Sequence, residues 1–173
     1  MSLSGEYLGM KLLVDDADKQ NLEFFGFCGR HELRLQRWKK SGLISYPPST
    51  ASPWDGEAEY EWVRVDGRGS VMSYIEVHHP IMPAFRDRVP YHVLLVELDT
   101  QRGQPSEHEA LRIVGNLVTP AGELASKDAM SRVGIGSRVR VVFADVGTGF
   151  ALPQWTLDEQ ATQPRPWRYG DRR

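Results

Sequence analysis

The residues of this chain with most chemical potential are few. His78-His79-Pro80 places two imidazoles at the end of an alternating apolar segment. Adjacent residues of a strand point to opposite faces, so one ring cannot readily join the other on a single metal ion. Either could act as a general base, and a strand end at a barrel mouth is the plainer reading. The segment that follows, residues 79–90, carries Phe85, Arg86 and Arg88. An apolar ring beside two guanidinium forks could meet an acyl chain and phosphate oxygens. A simple strand connection with exposed arginines accounts for the same residues. His78, His79, Phe85, Arg86 and Arg88 are the candidate ligand-binding set, and no catalytic residue is assigned.

Other chemistry is excluded by type or spacing. Cys28 is the sole cysteine, so neither an internal disulfide nor a thiolate metal site can form. Its setting, Phe24-Phe25-Gly26-Phe27-Cys28-Gly29, suits a buried, inert thiol. Gly67-Arg68-Gly69 and Gly147-Thr148-Gly149 lack a following helix N-terminus and read as turns. No glycine-rich nucleotide loop, nucleophile elbow or paired-carboxylate pattern is present. With 173 residues and a net charge of −2, nothing draws the whole chain toward nucleic acid or an anionic membrane. Basic residues gather only at Arg34-Arg37-Lys39-Lys40 and in the tail, at Arg165, Arg168 and Arg172-Arg173. No signal peptide or membrane-spanning run is visible, so a cytoplasmic location is expected.

The elements that must position these residues are mostly strands. Asp15 or Asp16 is the expected N-cap of a helix running to Phe25 or Cys28. Residues 1–14 carry little periodic signal. Alternation predicts strands over 32–38, 60–65, 70–78, 91–98, 110–118 and 137–146, with a short one at 150–155. Residues 126–133 suit a short helix. Residues 60–65 and 70–78 read as one hairpin turned by Asp66-Gly67-Arg68-Gly69. Such a set fits a small closed barrel, the five-stranded Greek-key OB-fold. Residues 39–56 are rich in Pro, Ser and Gly, and Trp38, Tyr46 and Trp54 are the bulk available to hold them. The polar, Pro-containing tail from Asp158 is expected to be poorly ordered.

The order of these pieces resembles the acyl-CoA-associated OB-fold family once called "domain of unknown function 35", which has an N-terminal rubredoxin-like zinc ribbon. The resemblance runs from about Phe24 to Trp155. It rests on Phe24-Phe25, Glu32-Leu33-Arg34-Leu35-Gln36-Arg37, Tyr46-Pro47-Pro48, Ser52-Pro53, Trp62-Val63, Val89-Pro90-Tyr91, Val114-Gly115-Asn116-Leu117 and Val141-Val142-Phe143-Ala144-Asp145. Aligned so, the four zinc-ligand positions fall on Trp38, Ser41, Ser52 and Asp55, none of them a thiol. The resemblance implies zinc in the family and none here, leaving the chain without a cofactor. The implied layout is an extension and helix over 1–31, a degenerate, metal-free ribbon over 32–58, the barrel over 59–157 and a tail over 158–173.

Three functions follow as expectations. The resemblance implies a non-catalytic accessory protein that engages a thiolase-like or hot-dog hydratase partner, a CoA thioester, or both. A single-stranded nucleic-acid-binding module, with Trp62, Tyr74 and Tyr91 as stacking rings, is disfavoured by the acidic balance. A stand-alone thioesterase or hydratase would use His78 or His79. A homodimer is compatible with each.

Overall fold

The computed structural model describes residues 1–171. Arg172 and Arg173, the end of the basic tail cluster, lie outside the described residues.

The chain forms three antiparallel sheets, and the second and third share one core. The N-terminal hairpin pairs β1 (Leu3–Tyr7) with β2 (Met10–Val14). Sequence alternation gave little warning of it. Its two-residue turn puts Leu8 at φ 52° and Gly9 at φ 86°, the twist a tight hairpin needs. The hairpin lies hard against the barrel. A Cβ on Gly5 would sit 2.3 Å from the Val146 carbonyl oxygen. The helix α1 (Lys19–Cys28) starts later than expected, because Asp18 rather than Asp15 or Asp16 accepts the Asn21 amide. It buries Phe24 and Cys28, and Phe25 packs edge-on against Phe150 at 5.4 Å.

The second sheet has the order β4-β3-β5, with β3 at Arg34–Trp38, β4 at Ile44–Ser45 and β5 at Tyr60–Arg64. This corrects the expected hairpin. Residues 60–65 do form a strand, but it pairs with β3, not with the strand that follows it. Period-two alternation specifies a half-buried strand without specifying its neighbour.

The third sheet is the barrel. Its order is β10-β9-β6-β7-β8, with β6 at Arg68–Val77, β7 at Tyr91–Leu98, β8 at Arg112–Asn116, β9 at Arg138–Gly147 and β10 at Phe150–Leu157. Leu117 bridges Trp155 in parallel, and the Val118 amide donates to the Trp155 carbonyl at 2.8 Å. That contact closes β8 onto β10 and completes an OB-fold barrel. The short helix α2 (Lys127–Ser131), capped by Ser126, sits between β8 and β9. Along β7 every second residue is buried, which turns His92, Leu94, Val96 and Leu98 inward.

As far as Asp171 the tail packs on the barrel, where a poorly ordered segment was expected. Trp167 and Ile135 exchange backbone hydrogen bonds at 2.8 and 2.9 Å. Gln163 receives the Arg138 amide and returns a bond to the Arg138 carbonyl, both at 2.9 Å. A polar segment with little apolar surface is held here by hydrogen bonds, which its composition does not reveal.

Candidate functional site

Two regions combine position with chemistry: the paired turns beside β3 and a cleft at the far end of β6 and β7.

The turns correspond to the four positions where the resemblance expects zinc ligands. Trp38 is fully buried, and its indole N–H donates to the Ser45 hydroxyl at 2.9 Å. The Gly42 amide reaches back to the Trp38 carbonyl at 2.8 Å, and the Gly56 amide to the Ser52 carbonyl at 3.0 Å. Gly42 and Gly56 have φ near 72° and 71°, so both turns need glycine. The turns are joined directly. The Lys40 amide donates to both Glu57 carboxylate oxygens, at 2.8 and 3.0 Å, and Lys40 Nζ pairs with Asp55 at 3.6 Å. The Ser52 hydroxyl, the Glu57 amide and Lys40 hold the Asp55 carboxyl below the usual range. A zinc ion would meet an indole, two hydroxyls and one carboxylate, and only the carboxylate is an ordinary zinc ligand. The residues present do not fit the metal. Among the described residues no three His, Cys, Asp or Glu side chains gather as a metal site.

Two buried glutamines fix this lobe. Gln36 and the Ser49 backbone exchange hydrogen bonds at 2.7 and 2.8 Å. Gln101, from the barrel, receives the Ile44 amide at 2.7 Å and donates to the Ile44 carbonyl at 2.9 Å. Tyr46 and Trp54 are half-buried. They line, with Pro53, Leu111 and Arg112, a shallow recess of about 330 Å³.

The cleft is walled by the ends of β6 and β7, by α2 and by the tail, with a volume of about 450 Å³. Register places Glu76 directly opposite His92. His92 Nε2 lies 3.0 Å from one Glu76 oxygen, and His78 Nε2 lies 2.8 Å from the other. His92 is 3% exposed, and its Nδ1 is buried without a hydrogen-bond partner. Lys127 and Arg168 stand at the rim, while Met130 and Val133 supply an apolar wall. The Tyr169 amide donates to the Tyr74 hydroxyl at 2.9 Å, which carries the tail across this side.

The structure divides the expected set. His78 belongs to the cleft through Glu76. His79, Phe85, Arg86 and Arg88 do not line it. Phe85 stacks on Tyr91 at 4.9 Å, and Arg86 and Arg88 are exposed on the connection to β7. Sequence reading did not single out Glu76, His92 or Lys127 as site residues, and noted Arg168 only within the basic tail cluster. A histidine in an inward position of an apolar strand was the available signal for His92, because a buried imidazole needs a partner. The proposed stacking rings are occupied in packing. Trp62 meets Phe27 and bonds Glu23, Tyr74 tilts against His92 at 5.1 Å, and Tyr91 stacks on Phe85.

The outer face of β6, β7 and β8 is apolar. Ile75 is 59% exposed and Val114 53%, around a shallow recess shared with Val93 and Leu95, and Met72, at the register shift of β6, is also exposed. No helix of the described residues is long and apolar enough to cross a membrane.

Comparison with known proteins places this architecture. Residues 62–144 match the family model described as ChsH2, C-terminal OB-fold domain. The chain is similar to a probable enoyl-CoA hydratase alpha subunit of Thermomonospora curvata, 35% identical over 101 residues, which are 58% of this chain and 28% of that protein. It is similar to the 3-oxo-4,17-pregnadiene-20-carboxyl-CoA hydratase alpha subunit of Mycobacterium tuberculosis, 33% identical over 127 residues, covering 73% of this chain and 32% of that protein. The chain thus spans about a third or less of these curated relatives. Among solved structures it is similar to a chain of the Ltp2-ChsH2(DUF35) aldolase, with TM-score 0.63 and 28% identity over 83% of this chain and 98% of that one.

Proposed function

We propose, from the premise that this chain belongs to the acyl-CoA-associated OB-fold family of the DUF35 type, that it is an accessory subunit of an enzyme acting on CoA thioesters. The observation that carries this reading is the match over 98% of a chain within an aldolase structure. Two further similar proteins are named as hydratase alpha subunits. The partner is a thiolase-like or hydratase protein, and the ligand of the assembly is an acyl-CoA.

The physical support is a surface suited to docking. Soluble proteins seldom leave a contiguous apolar patch on a sheet unless something covers it. Ile75 and Val114, with Val93 and Leu95, form such a patch. The turn lobe offers a second, rigid surface shaped without metal. Catalysis is assigned to the partner, and the chain itself holds no zinc.

Co-expression with a candidate partner, a thiolase-like or hydratase protein of the native host, tests the reading. The expected result is a stoichiometric complex by size-exclusion chromatography with light scattering. Ile75→Asp should break that complex while the far-ultraviolet dichroism of the subunit stays unchanged. Separate elution of the two wild-type proteins, with no effect on turnover of an acyl-CoA by the partner, would overturn it.

A further inference from the structure

We infer that the arginine face where α1 meets the second sheet docks an acidic segment of a partner protein. Which protein that is rests on the accessory-subunit reading above; the chemistry of the face does not.

The face is built by strand register and by one ring. Arg34 and Arg64 stand directly opposite each other on β3 and β5, and Trp62 lies on the same face, two residues before Arg64. Arg30, just beyond α1, joins them over Phe27. Its guanidinium carbon lies 4.8 Å from the centre of that ring, and that of Arg34 lies 5.1 Å from it. Trp62 packs on Phe27 at 5.3 Å, and both rings are half-buried. Contacts of this cation–π kind hold guanidinium groups in place without neutralising them.

The charges of the face do not balance. Elsewhere on this sheet and its turns each cation has its own carboxylate: Arg37 has Glu61, Lys39 has Glu59 and Lys40 has Asp55. Here Glu32 serves three arginines. Arg34 Nε donates to it at 2.7 Å, and that bond, with the charges of Arg34, Arg64 and Arg30, holds the carboxyl below its usual range. The neighbouring acids are engaged elsewhere, Glu23 by the Trp62 indole and Asp66 by Arg68 at 3.8 Å. Arg30 and Arg64 are exposed and have no ion pair among the described residues. Even with Glu23 counted against the three arginines beside Glu32, one positive charge is left over. Like charges directly across two strands also cost stability, so the fold alone does not account for Arg34 opposite Arg64.

Protein carboxylates are the complement of such a face. Guanidinium forks take them in a bidentate grip, and arginine and tryptophan are enriched where interfaces bind most strongly. A nucleic acid fits less well. Trp62 stands edge-on to Tyr60 at 5.8 Å and packs on Phe27, and Phe27 lies under two arginines, so the rings are already engaged and do not await bases. Glu32 and Glu23 would also repel a phosphate chain.

The test uses the full chain and two probes: poly-L-glutamate, and the thiolase-like or hydratase protein used in co-expression. Arg64→Gln and Arg30→Gln each remove one exposed charge of the face. Arg37→Gln removes one from the opposite side of the same sheet and is the control. At low salt poly-L-glutamate should bind wild type and Arg37→Gln alike, and Arg64→Gln and Arg30→Gln about three- to fivefold more weakly, the scale of an exposed ion pair. In the complex with the partner, where the contact is desolvated, Arg64→Gln should weaken binding about tenfold. Since Arg64→Gln also removes the opposed pair, its melting temperature should equal or exceed that of wild type. Equal binding of poly-L-glutamate by Arg64→Gln and Arg37→Gln overturns the inference, as does a wild-type complex indifferent to Arg64→Gln. A marked fall in the melting temperature of Arg64→Gln overturns it too, by making Arg64 a residue of the fold. A single-stranded oligonucleotide that binds more tightly than poly-L-glutamate, and is lost in Arg64→Gln, reassigns the face to nucleic acid and equally overturns it. Separate elution of chain and partner counts against the accessory-subunit reading alone, and the poly-L-glutamate comparison still decides the chemistry of the face.

Discussion

Replacing Trp38 tests whether the two turns stand without metal. The side chain is fully buried, and its indole N–H is bonded to Ser45, which is 7% exposed. Trp38→Ala removes the largest group of the lobe, a loss of about 3–5 kcal/mol for a core aromatic. Trp38→Phe keeps most of the bulk but strands the Ser45 hydroxyl, which costs about 1–3 kcal/mol. The ordering expected in urea denaturation is therefore wild type, then Phe, then Ala. The companion measurement is the same titration with excess zinc and with a chelator. A zinc site at a thousandfold excess over its Kd would raise stability by about 4 kcal/mol. The expected difference is nil, with no stoichiometric zinc by elemental analysis. Bound zinc at one equivalent, or a Trp38→Phe variant as stable as wild type, would refute the reasoning that packing and the Lys40–Glu57 contacts hold this lobe.

Four other outcomes follow from particular residues. Burial pushes the Cys28 thiol up to about 12, so it should resist alkylation at pH 8 in the native protein and react only after unfolding in denaturant. Arg138 first, then Arg102, hold the Asp99 carboxyl below its ordinary range. A depressed carboxylate stabilises the fold above the unfolded value, near 3.9, and loses that contribution as pH falls through the lower folded value. Asp99→Asn should then destabilise by less than about 1 kcal/mol at pH 7, since the pair is partly exposed, and the difference should vanish in acid unfolding curves taken below the folded value. Within α1, Gly26→Ala meets no atom within 4 Å and should stabilise by up to about 1 kcal/mol. Gly29→Ala would place a Cβ 2.1 Å from the Gly149 carbonyl oxygen, and thermal melts should show a large loss instead.

Much of the barrel was legible because its strands alternate. Residues 91–98 and 137–146 show the pattern plainly, and the structure returns β7 at Tyr91–Leu98 and β9 at Arg138–Gly147. Pairing was less legible. The partner of β5 is β3, which precedes it by more than twenty residues, and no local pattern encodes that choice. The N-terminal hairpin escaped because Leu8-Gly9 is not a strong turn signal and its strands are only half-buried. The cleft was hidden for a related reason. Glu76 and His92 are sixteen positions apart and meet only through the register of β6 on β7, while Arg168 arrives from a tail whose composition suggested no packing. His78 was visible as chemistry, but its role depends on a carboxylate two residues earlier, at the end of β6.

The junction between the turn lobe and the barrel has a mechanical consequence. The chain leaves β5 at Arg64 and enters β6 at Arg68, and the short crossing is clamped at both ends. The Val65 amide bonds the Leu33 carbonyl at 3.0 Å, and the Gly67 carbonyl receives the Val141 amide at 2.8 Å. Gln101 adds a third clamp by gripping Ile44 from the barrel side. The lobe cannot swing without breaking buried hydrogen bonds, so lobe and barrel turn together like the two arms of a bracket. A partner that grips one arm fixes the direction in which the other points, and the His92 cleft is aimed by a contact made at the opposite end of the molecule.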